Sequence, residues 1–223
     1  MATPYDEYVG TTALHSLQHP LTDAPEEPAF LVTTQVMELY FGLLRTEWLL
    51  AMRQLDRDEL VDATATLRRS VRHFEALNAA WASLSWMTPD QFNRFRPALG
   101  KASGFQSAMY RQVERLLASK DPSLYASVLG LLARRGLPTS DEPQIEAAWV
   151  EVYRGHDAGL RDLAEALMEV AVQFSDWRYR HVLAVRRSMG GKTGTAGSSG
   201  VRFLEESARR DVFPELWTAR THL

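Results

Sequence analysis

The 223-residue sequence contains no cysteine, which excludes disulfide bonds, thiolate-ligated metals and c-type haem attachment. No apolar run approaches the ~18 residues that a membrane-spanning helix requires. The segment Met1 to Glu7 has neither a basic nor an apolar stretch, so no secretion signal is read there. A strong charge of one sign is also missing. The net charge is −3, whereas a polyanion demands a basic surface, and the pairs Arg186-Arg187 and Arg209-Arg210 are too short to supply one. These absences lead to the expectation of a soluble, cytoplasmic protein with no membrane and no nucleic-acid partner.

What is present is an ordinary apolar content of 45%, enough for one sizeable core, arranged at helical spacing. Phe30, Leu31, Val36, Met37, Leu39, Tyr40, Leu43, Leu44, Trp48 and Met52 recur at steps of three and four, which predicts a central, largely buried helix. A second long helix is expected from about residue 57 to 86, with His73 as a solvated surface histidine. Thr88-Pro89-Asp90-Gln91 has the hydroxyl, proline and glutamine of a capping box, so a helix should open there and stop at Pro97. Ser103 to Ser107 reads as a turn into a helix ending near Leu117. Asp121-Pro122 should open another, ending near Gly136. From Ile145 a helical pattern runs to about Met189 with an interruption near Gly155-His156, and shorter helices come after it, from Phe203 and around Phe213 to Trp217. Tyr5 to Leu17 could form one short helix ahead of Pro20. No strand and no repeat is evident, so the fold class is all-α: a bundle of long antiparallel helices. Residues 1–24 are expected to form an N-terminal arm and residues 25–223 a single domain.

The segment from Asp176 to Gly200 combines a helical stretch bearing His181 with the glycine-rich run Gly190-Gly-Lys-Thr-Gly-Thr-Ala-Gly-Ser-Ser-Gly200. Such a loop presents backbone N–H groups at tight turns. A phosphate-binding loop is excluded, because Lys192-Thr193 would need glycine at position 186, where Arg186 stands, and because the loop comes after a helix rather than a strand. A fixed histidine followed by a close-folding loop suits a flat, iron-holding ligand.

Three motifs stand in order: Phe30-x-x-x-Thr34-Gln35-x-x-Glu38-Leu39, Phe95-Arg96-x-x-Leu99-x-x-x-Ser103-Gly104-Phe105-Gln106-Ser107, and Trp177-Arg178-x-x-His181 with Gly194 to Gly200. Together they resemble the tryptophan 2,3-dioxygenase family of haem enzymes, from Tyr5 nearly to the C-terminus. The resemblance implies haem b as cofactor, dioxygen as co-substrate and an amino-acid substrate carrying an indole. It makes His181 the proximal iron ligand and Arg96 the carboxylate-binding residue, with Thr195 helping to hold the ammonium and carboxylate. Phe30, Phe95 and Phe92 fall at the indole pocket, and Ser103 and Gly104 at the turn over the distal face. Trp81 and Tyr110 are candidate haem contacts. Tyr5 and Tyr8 match a pair that reaches into a neighbouring subunit, which implies a homo-oligomer, dimer or tetramer.

The departures from the family pattern are equally specific. Thr34 stands where a distal histidine is usual, Phe92 where tyrosine is usual, and Ala196 where the loop usually has glycine. The stretch from about Leu129 to Ile145 is shorter than in typical members. Threonine cannot act as a base near neutral pH, so oxygenation at the indole C2–C3 bond is expected while the number of oxygens inserted, one or two, stays open. The alternative is a non-catalytic haem or amino-acid sensor that kept the fold.

Overall fold

The computed structural model describes residues 2–118, 122–194 and 199–223, and about three quarters of the chain is helical with no strand among the described residues. The order of α-helices is α1 (Pro4–Val9), α2 (Thr11–His15), α3 (Glu27–Asp56), α4 (Leu60–Ala80), α5 (Pro89–Phe95), α6 (Ala108–Leu116), α7 (Leu124–Arg134), α8 (Glu142–Arg154), α9 (Ala158–Met189), α10 (Val201–Ala208) and α11 (Pro214–Ala219). None is long and apolar enough to cross a membrane. This is the all-α architecture expected from the periodicity.

The frame is α3 packed on α4 and α4 packed on α9, with α6 and α7 also against α3. The hairpin from α3 to α4 turns at Asp58, which adopts a left-handed conformation (φ 60°); a short polar side chain tolerates this better than a bulky one. Arg134 secures the turn by donating to the Asp58 carboxylate and, at 2.6 Å, to the Leu55 carbonyl. Inside, Trp48, Phe74 and Phe174 stack edge and face between the three helices. Each is fully buried, an effect of roughly 1.5–3 kcal/mol per large apolar side chain. The Trp48 indole N–H donates to Ser70 at 3.0 Å, and the Asn78 amide donates to the Gln173 carbonyl at 3.0 Å. These polar contacts fix the register of α4 against α3 and α9.

Several expected boundaries shift for identifiable reasons. The second long helix ends at Ala80 and continues as a 3₁₀ turn over Trp81–Leu84, because Leu84 and Met87 turn away into a second apolar cluster. The single short helix expected over residues 5–17 is two helices. Gly10 breaks it at φ 70°, and the Asp6 carboxylate accepts from the Thr12 backbone N–H at 2.7 Å and from the Thr11 and Thr12 hydroxyls. The last-but-one helix starts two residues earlier than expected, at Val201. His73 is half-buried, with Nε2 3.7 Å from the Glu47 carboxylate, rather than solvated. Helix α3 buries one face only, through Met37, Phe41, Leu44, Trp48, Ala51 and Leu55, and its opposite face is exposed. The expected capping box is present: Thr88 Oγ1 accepts from the Gln91 backbone N–H, and the Gln91 side chain accepts from the Thr88 N–H.

Two carboxylates at the start of α3 anchor the neighbouring segments. Glu26, buried, pairs with Arg94 of α5 at 3.1 Å, which draws α5 against the N-terminal end of α3. Glu27, also buried, accepts from the backbone N–H groups of Leu21 and Thr22 at 2.7 and 2.8 Å and from the Thr22 hydroxyl. Burial pushes its carboxyl up, but the three donors together hold it below the usual carboxylate value of 4.5. A depressed carboxyl contributes stability above its unfolded pKa and loses it as pH falls through the folded one. Glu27→Gln is therefore expected to destabilise the protein by about 1–3 kcal/mol at pH 7, with a difference from wild type that shrinks below pH 4.5 in urea titrations at successive pH values.

Candidate active site

At the end of α4 and the middle of α9 the main core gives way to the second apolar cluster. Leu84, Met87, Phe92 and Phe95 are buried there, with Phe30, Leu99 and Met189 packed against them, and Trp81 touches both clusters. Phe30 from α3 meets Phe92 and Phe95 from α5 with ring centroids 5.8 and 5.4 Å apart, and Phe92 meets Phe95 edge-on at 5.2 Å. Such tilted and edge-on contacts are the favoured aromatic geometry. Three rings from two helices far apart in the chain thus form one dry wall.

His181 sits on α9 one turn beyond Trp177, so the two side chains share a helix face. The imidazole stacks on Trp81 at 5.1 Å, nearly parallel, and leans on Trp177 at 5.3 Å. Among the described residues neither ring nitrogen has a hydrogen-bond partner, so no carbonyl or carboxylate takes the second ring proton. Burial pushes the pKa down to about 4, which keeps the ring neutral at physiological pH. Trp81 covers one face of the ring, and neither ring nitrogen is engaged among the described residues, which leaves a neutral lone pair of the kind that ligation requires. Beside it the indole N–H groups of Trp81 and Trp177 are both buried without a partner. A neutral imidazole, two unpaired N–H donors and an apolar surround fit an iron-centred tetrapyrrole, which is flat, largely apolar and equipped with acceptors at its edge.

Tyr110 reaches this cluster only through Trp177, at 5.1 Å. Its hydroxyl donates to Glu114 at 3.4 Å, and Glu114 is bound in turn by the buried Arg178 at 2.8 Å. Burial raises the Tyr110 pKa. The residue faces a structural network rather than the imidazole.

Arg96 comes directly after α5, on the 3₁₀ turn Arg96–Leu99, and so projects from the base of the phenyl wall. One guanidinium nitrogen, Nη2, donates to the Thr193 carbonyl at 2.6 Å, while Nε is buried without a partner. No carboxylate pairs with it among the described residues, which leaves a permanent cation with a free N–H beside the aromatic trio. Lys192 reinforces the join between α5 and the glycine loop by reaching Asn93 at 3.4 Å. Thr34 lies one turn after Phe30. Its hydroxyl donates to the Phe30 and Leu31 carbonyls, at 2.9 and 2.8 Å.

Other candidates stand apart. Ser103 and Gly104 begin a short 3₁₀ turn in which Ser103 accepts from the Phe105 N–H and Gln106 accepts from the Ser103 N–H. Phe105 ties the turn to Phe203 of α10 at 4.6 Å. Tyr5 and Tyr8 are 68% and 92% exposed on a helix that buries nothing against its own chain. Thr195 and Ala196 lie outside the described residues. Trp177 has no assigned role in the sequence reading, yet it is the side chain most closely joined to His181 besides Trp81. Its spacing of four from His181 on one helix is the signal that could have found it.

The family model for tryptophan 2,3-dioxygenase matches residues 1–127 and 133–223. The chain is 37% identical to the tryptophan 2,3-dioxygenase of Paraburkholderia phytofirmans over 98% of its own length and 84% of that protein's. It is also 37% identical to the enzyme of that name from Bradyrhizobium sp. BTAi1, over 98% and 92%, and 35% identical to that of Cupriavidus necator, over 98% and 87%. These alignments run over 257 positions, more than the 223 residues of the chain, so the relatives carry segments with no counterpart here. The family match is interrupted at residues 128–132, inside the buried helix α7.

Proposed function

We propose that this chain, which belongs to the tryptophan 2,3-dioxygenase family, is a haem-dependent oxygenase acting on the indole C2–C3 bond of L-tryptophan or a substituted tryptophan. The observation that carries the reading is the neutral, unpartnered His181 imidazole packed against two indoles, next to a phenyl wall from whose base projects a guanidinium with no ionic partner among the described residues. The family is haem-dependent and uses dioxygen as co-substrate. When bound, the haem supplies the redox-active iron at which dioxygen is activated.

The chain's own residues bind and orient. His181 would hold the haem iron through its neutral ring-nitrogen lone pair. Arg96 takes the substrate carboxylate with its free N–H groups, in the fork geometry that a guanidinium offers, and Thr195 is assigned the ammonium side by resemblance. Phe30, Phe92 and Phe95 wall the indole and exclude water. The Ser103-Gly104 turn is assigned to the distal face, also by resemblance. Thr34 has spent its single proton on backbone carbonyls, so its oxygen can only accept. It therefore suits the indole N–H as donor and holds the ring without removing that proton. Positioning of this kind is where the protein's contribution lies.

Thr34→Val keeps the shape and removes the acceptor. We expect KM for L-tryptophan to rise about fivefold to tenfold, the worth of one hydrogen bond. The KM for 1-methyltryptophan should not move, and equal effects on both substrates would take Thr34 off the indole nitrogen.

The relatives' names favour insertion of both oxygen atoms, giving an N-formylkynurenine-type product. The replacement of the usual distal histidine by Thr34 favours the second reading, a single oxygen retained as a 2-oxindole, with the other reduced to water by external electrons. Product mass from haem-loaded, reduced protein under ¹⁸O₂ separates them: two heavy atoms for dioxygenation, one for monooxygenation. Haem bound with no product from tryptophan or its substituted forms would establish the sensor instead. The exposed arm with Tyr5 and Tyr8 supports a homo-oligomer, dimer or tetramer, in which each arm serves a neighbouring subunit.

A further inference from the structure

Phe105 and Phe203 make an aromatic contact that neither apolar cluster accounts for. The rings meet edge-on with centroids 4.6 Å apart, closer than any pair around His181 or in the phenyl wall. Yet both side chains are exposed, at 40% and 38%, and both lie outside the two clusters. Single apolar residues at a surface are ordinary. A favoured edge-on pair between segments far apart in the chain is a join. Phe105 belongs to the turn that Ser103 opens, in which the Gln106 N–H donates to the Ser103 carbonyl at 2.9 Å. Phe203 lies in the first turn of α10, directly after the glycine loop.

The loop side of this join continues to Arg96. At Gly200 (φ 63°) a Cβ would lie 2.5 Å from the Lys192 carbonyl oxygen and 3.2 Å from the Gly194 nitrogen. The backbone that enters α10 therefore rests on the backbone that follows α9, and glycine permits both the conformation and the approach. Beside it the Thr193 carbonyl accepts from Arg96 at 2.6 Å. A run of direct contacts thus leads from Arg96 through Thr193 and Gly200 to Phe203, and across the ring pair to the Ser103-Gly104 turn. The far ends of the two helices that follow are also held. Arg178 donates to Glu114 of α6 at 2.8 Å and to the Arg210 carbonyl, just after α10, at 3.0 Å. The turn with α6 and the loop's exit with α10 are joined to each other at one end and share one guanidinium at the other.

We propose that Phe105 and Phe203 are positioning residues that make the Ser103-Gly104 turn and the exit of the glycine loop a single unit, so that a carboxylate gripped at Arg96 sets the placement of the turn. The proposal rests on the roles given above to Arg96 and to the turn. A run of contacts becomes coupling only when a change at one end alters the other, and hydrogen exchange reads this directly. In the full chain without haem, Phe203→Ala should speed exchange of the Gln106 and Ser107 N–H groups about twofold to tenfold, the worth of an aromatic pair. Phe105→Ala should do the same in α10. The double variant should add nothing to either single one, and Phe203→Tyr, which keeps the ring, should exchange like the wild type. In the holoenzyme, Phe105→Ala should raise KM for L-tryptophan about twofold to tenfold and leave KM for tryptamine, which has no carboxylate, unchanged. Unaltered exchange at Gln106 and Ser107 in Phe203→Ala, faster exchange spread evenly over the chain, additive effects in the double variant, or equal KM losses on both substrates would each overturn it. The exchange measurement needs neither haem nor turnover, so failure of the oxygenase reading and failure of the join are told apart.

Discussion

His181→Ala is expected to yield folded protein that retains no stoichiometric haem and whose turnover falls by more than about 10³, since the cofactor carries the difficult chemistry. The imidazole does very little for the fold when no ligand is bound to it. It makes no hydrogen bond among the described residues, and burial costs it its proton. Trp81 and Trp177 already touch each other directly, tilted at 5.7 Å, so the local packing should survive loss of the imidazole. A structural histidine would show the reverse: hydrogen bonds lost, stability lowered, cofactor kept. Far-UV circular dichroism and thermal unfolding should therefore change little, while the histidine-ligated haem spectrum disappears. Supplying imidazole to His181→Gly should bring that spectrum back. An unaltered haem spectrum in His181→Ala would remove the residue from the iron.

How much of the molecule is legible in its sequence depends on the range of the forces involved. The long helices α3, α4, α8 and α9 are legible because burial imposes a 3.6-residue period that survives in the sequence. The capping box at Thr88 is legible because all its partners lie within four residues. Boundaries set by tertiary demands are not, such as the 3₁₀ turn after Ala80, where the chain changes the cluster into which it packs. The apolar circumference of α3 points to burial on most sides, and the structure buries one; periodicity records that a face is apolar and not what covers it. At the site, Phe30 meets Phe92 and Phe95 through an ion pair between Glu26 and Arg94, a juxtaposition that no spacing rule contains; only the family resemblance suggests it. The Arg96 contact with the Thr193 carbonyl is likewise beyond the sequence. His73, half-buried beside Glu47, departs from expectation for the same reason.

Arg96→Ala should raise KM for L-tryptophan by about 10²–10³, the worth of 2–5 kcal/mol for one partner of a hydrogen-bonded charge pair, with haem content unchanged. Arg96→Lys should recover little of this. An ammonium is a point charge and cannot present Nε and Nη together to a planar carboxylate. Tryptamine decides between two roles that the geometry allows. It keeps the indole and the amine but lacks the carboxylate, so a residue that grips only the carboxylate should leave tryptamine turnover untouched on substitution. The alternative role comes from the 2.6 Å bond to the Thr193 carbonyl, by which Arg96 also holds the start of the glycine loop. If tryptamine and tryptophan lost equally in Arg96→Ala, loop placement would be the function and carboxylate binding would fall. The buried, partnerless Nε argues for the first outcome. Loop placement consumes one N–H on one edge of the guanidinium, and leaving the other edge desolvated and empty carries a cost that a bound carboxylate removes.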